Sequence, residues 1–260
     1  MSDAYVTLTK EGPLGLITLN RPPANSYEIT FMKHLDAAIE GAAADERIKT
    51  VLVVSASEKF FCGGADIKAF LANDTAANIE MITFAHNALA KIARIPKVFI
   101  AVINGYAMGG GLEIALACDL RFAGDGNFKL ALPEVTLGIL PGNGGTQRLS
   151  RLIGASKALE LMLTGEAVGP GKAADLGIVN RVFPQDSLLQ EAKAFALNLA
   201  NGPTVAHALI KRCVHEGIDQ SLAGGLALER DLIAQLFDTA DAREGLNAFA
   251  EKRRATFTGR

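Results

Sequence analysis

Two glutamates and two glycine-rich turns carry the chemistry this sequence offers. Glu113 follows Gly109-Gly110-Gly111 and falls in the first turn of the helix those glycines open. Glu134 follows Pro133 inside Leu130-Ala131-Leu132-Pro133-Glu134-Val135, a stretch that is otherwise apolar. An acid in apolar surroundings must pair, bind a ligand or keep its proton to higher pH. Two that converge on one substrate could hold a water and divide acid and base work between them. Each has a plainer reading as well. Glu113 suits a helix N-terminus, where negative charge is favoured, and Glu134 could be a loop acid bonded to backbone N–H groups.

The glycine turns suit a developing negative charge. Phe60-Phe61-Cys62-Gly63-Gly64-Ala65-Asp66-Ile67-Lys68 comes soon after the apolar run Val51–Val54. Asn104-Gly105-Tyr106-Ala107-Met108-Gly109-Gly110-Gly111-Leu112-Glu113 comes straight after Val98–Ile103. Glycine lets a backbone approach a ligand closely, and a helix start presents unpaired N–H groups. Two such turns could aim two donors at one oxygen as an oxyanion hole, each worth on the order of 3 kcal/mol toward a transition state. Either turn alone reads more readily as a tight strand-to-helix connection; the nearby acids shift the balance toward chemistry.

The elements that must position these residues alternate. Tyr5–Leu8 and Leu14–Leu19, broken by Lys10-Glu11-Gly12-Pro13, read as a β-hairpin. Phe31, Leu35, Ala38, Ile39 and Ala42 recur at helical spacing over 30–44, and Val51–Val54 reads as a buried strand. A helix over 79–93 stops at Pro96, before the buried strand Val98–Ile103. This alternation predicts an α/β core of stacked βαβ-type units over residues 1–190. Segments 192–199, 206–215, 222–236 and 240–252 predict an α-helical region over 191–260.

Several other patterns lead nowhere. Gly169-Pro170-Gly171-Lys172-Ala173-Ala174 has dinucleotide-site spacing but lacks a preceding buried strand, so a plain helix start is expected. His34, His86, His207 and His215 lack zinc-binding spacing, and surface or packing roles are expected of them. Cys62 has no neighbouring histidine and reads as a small buried residue.

Bulk composition narrows the class. The chain has 260 residues, 49% hydrophobic and 21% charged, and a net charge of −2 from 26 basic and 28 acidic residues. That balance argues against a nucleic-acid or anionic-membrane binder. Cys62, Cys118 and Cys213 lie far apart, as in a reducing compartment. Val98–Ile103, the most apolar segment, is far short of the roughly 20 residues that span a bilayer. With no signal-peptide pattern over Met1–Gly15, a cytoplasmic location is expected.

The segments Phe61–Lys68, Asn104–Asp119, Pro133–Leu149 and Leu163–Val182 closely resemble the enoyl-CoA hydratase/isomerase (crotonase) family, and the resemblance runs to Phe249–Arg253 and Phe257–Arg260. Pro141-Gly142-Asn143-Gly144-Gly145-Thr146-Gln147-Arg148-Leu149 is an unusually specific element of it. The resemblance implies a spiral of ββα/βαβ units and a C-terminal helical region that assembles trimers or dimers of trimers. It implies that the Ala65 and Gly110 N–H groups form the oxyanion hole. It places Ala65, Asp66, Ile67 and Lys68 along the pantetheine and adenine portion, with Lys59 and Lys68 available to the coenzyme A phosphates. Lys252 and Arg253 are weaker candidates for such contacts, and all these cations also read as solvated surface charges.

Glu113 and Glu134 match both acids of the family's hydratases. The resemblance implies that Glu113 activates the water attacking Cβ while Glu134 handles the proton at Cα. The substrate is then an acyl-CoA thioester, with no metal or redox cofactor. Rival readings are Δ3–Δ2 enoyl-CoA isomerisation and a non-catalytic CoA-ester or RNA-binding protein on the same fold. Three departures stand out. The Glu113–Glu134 spacing is one residue longer than in the familiar short-chain hydratases, with the extra residue around Gly124–Asn127. Ser26-Tyr27 replaces a small residue followed by Leu, and Asn143 stands where Ala is common. The last two bear on the shape and polarity of the acyl pocket.

Overall fold

The computed structural model describes residues 4–260, beginning with a hairpin. Strand β1 (Val6–Glu11) pairs antiparallel with β2 (Leu14–Leu19), Glu11 opposite Leu14. Only Gly12 and Pro13 form the turn, so Lys10 and Glu11 belong to the strand and not to the break expected from sequence. Because β1 lies at the edge of its sheet, it tolerates those charges.

Helix α1 (Ile29–Ala44) buries Phe31, Leu35, Ala38, Ile39 and Ala42, the stripe read from sequence, and leads to β3 (Thr50–Ser55). Next come β4 (Phe60–Cys62), α2 (Ile67–Ala72), α3 (Thr75–Arg94) and β5 (Val98–Ile103). They are followed by β6 (Tyr106–Met108), α4 (Gly110–Ala117), β7 (Leu120–Gly124), β8 (Leu130–Ala131) and a 3-10 turn, Glu134–Leu137. Helices α5 (Gly145–Ile153), α6 (Ala155–Thr164) and α7 (Pro170–Asp175) precede β9 (Arg181–Phe183). Pro170 sits at the first turn of α7, a plain helix start as expected. Helices α8 (Leu188–Ala200), α9 (Thr204–Gly217), α10 (Leu222–Phe237) and α11 (Ala240–Ala250) complete the chain.

The larger sheet has the order β1-β2-β3-β5-β7-β9 and is parallel from β2 onward. A parallel sheet covered on both faces needs continuous apolar strands, and the period of two sorts their side chains. Val51, Val53, Phe99 and Ala101 join the main core beneath α1 and α3. Leu52, Val54, Ile100 and Val102 face the other way, onto Leu188, Ala192 and Ala196 of α8. Helix α9 is tied down by Lys211, whose buried ammonium donates to Ile92 O, Lys97 O and Asp119 Oδ2 at 2.6, 2.8 and 2.8 Å. A buried ammonium is tolerated because its donors are all engaged.

A second, three-stranded sheet in the order β4-β6-β8 positions the site. Its strands are two or three residues long, too short for sequence periodicity to show. Both glycine turns leave this small sheet, not the long strands β3 and β5 as read from the sequence. All three strands run parallel, so their carboxyl ends open at one edge. Gly63-Gly64-Ala65 leaves β4 there, Gly109-Gly110 leaves β6, and Leu132-Pro133-Glu134 leaves β8. In α/β sheets that edge is where ligands bind.

Candidate active site

The edge is stitched together by backbone bonds. Gly109 N–H donates to Ala131 O at 2.8 Å, holding the start of α4 beside the segment that carries Glu134. Gly109 has φ +52°, ψ −126°, which a residue with a side chain rarely adopts. A Cβ there would also lie 2.7 Å from Glu134 Oε1. On the other side, Tyr27 bridges to the Ala65 segment: its N–H donates to Gly64 O and its O accepts from Asp66 N–H. That pairing leaves the Ala65 N–H pointing away from Tyr27. Gly110, as the first residue of α4, has no intrahelical acceptor. Among the described residues, no backbone carbonyl takes either N–H.

Glu113 is 1% exposed and Glu134 is 9% exposed. They differ in what surrounds them. Glu113 Oε1 accepts from Asn143 N–H and Gly145 N–H, both at 2.7 Å. Burial raises the Glu113 pKa above its ordinary value, and those two bonds with the nearby Arg148 and His86 offset only part of that rise. Glu134 has no such support: its Oε2 is buried without a partner. Burial, reinforced by the charge of Glu113, pushes Glu134 up to about 7. Glu113 thus has partners for its ionised form that Glu134 does not, with a coupled titration between them.

The loop that holds Glu113 is braced from both sides. Arg148 donates to Asn143 O at 2.8 Å, and the His86 ring bonds to Gly142 O. A surface or packing role was expected for His86; it is exposed, and its ring bond reaches the loop beside the site. Asn143 also donates through Nδ2 to the Tyr27 hydroxyl. Arg21 pairs with Asp66 at 3.0 Å, and Asp66 caps α2 through Lys68 N–H. Arg21 escaped sequence reading because its partner lies 45 residues away. Cys62 is fully buried, its thiol pushed up to about 12 and donating to Asn25 O, so it is no nucleophile.

The remaining expected contact residues are on the surface. Ile67 and Lys68 are exposed on α2, and Lys59 is exposed with its ammonium 5.6 Å from the Phe60 ring centroid. Arg253 is exposed and pairs with Glu244 and Glu251, both at 2.6 Å. Among the described residues, no cluster of three or more His, Cys, Asp or Glu side chains is arranged to hold a metal ion.

The family model for enoyl-CoA hydratase/isomerase matches residues 9–260. The chain belongs to the enoyl-CoA hydratase/isomerase family. It is 39% identical to the 2,3-dehydroadipyl-CoA hydratase of Escherichia coli, over 94% of this chain and 95% of that one. It is 35% identical to a short-chain-enoyl-CoA hydratase of Clostridium acetobutylicum, over 96% of this chain and 95% of that one. A crystal structure from Geobacillus kaustophilus superimposes with a TM-score of 0.97 at 44% identity, covering 100% of this chain and 98% of that one. The α/β crotonase fold with a helical C-terminal region, expected from sequence, is the fold of this enoyl-CoA hydratase/isomerase family member.

Proposed function

We propose that this chain is an enoyl-CoA hydratase that adds water across a trans-2-enoyl-CoA to give the 3-hydroxyacyl-CoA. The observation that carries the reading is the unequal pair of buried carboxyls. Glu113 Oε1 is held by two N–H groups, and among the described residues no protein donor reaches Oε2, which is left for water. As base, Glu113 takes a proton from that water while the oxygen bonds to Cβ. Charge moves through the double bond to the thioester oxygen, where the Ala65 and Gly110 N–H groups stabilise the enolate. Glu134, protonated up to about pH 7, gives its proton to Cα. Glu113 then holds one proton and Glu134 lacks one, and exchange with solvent restores both.

Coenzyme A enters as part of the substrate, with Lys59 and Lys68 near its phosphates and Asp66 and Ile67 along its arm. The acyl tail would pass α3, where Ile82 packs near Gly142. The steps ask for no metal or redox cofactor, so EDTA should leave the rate unchanged. No described helix is long and apolar enough to cross a membrane. Unpaired Cys62, Cys118 and Cys213 suit a cytoplasmic setting. Leu222, Leu226, Phe237, Leu246 and Phe249, all exposed on α10 and α11, suit a homotrimer or dimer of trimers.

The test is loss of the conjugated-thioester absorbance of crotonyl-CoA, with the product identified by mass. Formation of 3-hydroxybutyryl-CoA supports hydration. Inertness toward crotonyl-CoA together with conversion of a 3-enoyl-CoA would overturn it in favour of isomerisation, which needs Glu134 alone.

A further inference from the structure

We infer that the Tyr27 hydroxyl is a third hydrogen-bond donor to the thioester oxygen, held in place by Asn143. This rests on the enolate-forming reading above. Tyr27 is 3% exposed, and its ring reaches from the Ala65 segment to the start of α4. The approach to Gly110 is so close that a Cβ there would lie 2.0 Å from the phenol oxygen. The hydroxyl therefore stands against one of the two residues whose N–H groups face the thioester oxygen. It is also flanked by Glu113 and Glu134, whose charges both act on it.

The hydrogen-bond inventory fixes what the phenol has to offer. With Asn143 Nδ2 donating to the phenol oxygen, the phenol's own proton is left for another acceptor. Among the described residues nothing accepts it: Asn143 Oδ1 and Glu134 Oε2 are both buried without partners. Glu113 Oε1 is occupied by two backbone N–H groups. Buried polar groups left open together are unusual and call for a ligand. Burial, with Glu113, Cys62 and Glu134 nearby, holds the phenol well above its ordinary range, so it remains a proton donor. Asn143 does double work, since its backbone N–H holds Glu113 while its side chain holds Tyr27.

The experiment uses Tyr27→Phe and Asn143→Ala in the full chain, with thermal melts to confirm folding. The expected result for Tyr27→Phe is a kcat loss on crotonyl-CoA on the order of 10²-fold with KM little changed. Asn143→Ala should act in the same direction, and the two losses should not multiply in the double variant. A spectroscopic readout separates a donor from a packing residue. In a Glu113→Gln background, bound 2,4-hexadienoyl-CoA should absorb to the red of the free thioester as its carbonyl is polarised, and adding Tyr27→Phe should shrink that shift. A full shift in both, with wild-type kcat for Tyr27→Phe, overturns the third donor and leaves the two-donor hole standing. No shift even with Tyr27 present overturns the hole, and this inference with it.

Discussion

Glu113 Oε1 accepts the backbone N–H of Gly145, the first residue of α5, at 2.7 Å. The carboxyl of one helix start therefore sits on the positive end of another, which favours its ionised form. The contact also limits what residue 145 can be. A Cβ there would lie 2.9 Å from Glu113 Oε1, Leu132 Cδ1 and Pro141 Cβ. Gly145→Ala should push the base out of place, lowering kcat at least about tenfold with a stability loss of about 1–3 kcal/mol. Steady-state kinetics and denaturant melts would check both.

Glu134 makes the pH dependence specific. Its carboxyl titrates near 7 when folded, against an ordinary 4.5. Between those values the folded chain holds the extra proton, so this group lowers stability as pH rises and its full penalty applies above about 7. Glu134→Gln should therefore raise Tm over wild type at pH 8, with the gain gone at pH 4. Hydration by the wild type should decline above about pH 7 as the acid loses its proton. Paired melts and a kcat–pH profile test the two ends of one titration.

Lys211 should matter for architecture and not for chemistry. Its side chain is 6% exposed and paired with Asp119, itself bonded to Phe99 N–H and His215. Lys211→Met leaves the Asp119 carboxylate short of a partner and should cost about 3 kcal/mol. Hydrogen exchange should quicken in α9 first, while KM for crotonyl-CoA in the folded fraction stays unchanged.

The long elements of the fold were legible because their patterns are long. The stripe of α1 and the runs β3 and β5 each extend over enough residues to display a period. The sheet that assembles the site was not, since β4, β6 and β8 each span three residues or fewer. For β4 and β6 the signal lay in the glycines that follow them. Glu113 and Glu134 were recognisable by type and setting, but their unequal environments were not. Those depend on Asn143, Gly145 and Arg148, which arrive from the loop before α5 and its first turn, about 30 residues away. Tyr27 and Asn143 were visible only as departures, and the bond between them spans 116 positions.

The most direct test of the two-carboxyl account is Glu113→Gln, measured by crotonyl-CoA turnover beside binding of a non-reactive acyl-CoA. The amide keeps the shape and still accepts from Asn143 and Gly145, but it cannot take a proton from water. The expected result is a fall in kcat on the order of 10³-fold or more, with acyl-CoA affinity within a few-fold of wild type. Turnover within tenfold of wild type, with affinity intact, would contradict it.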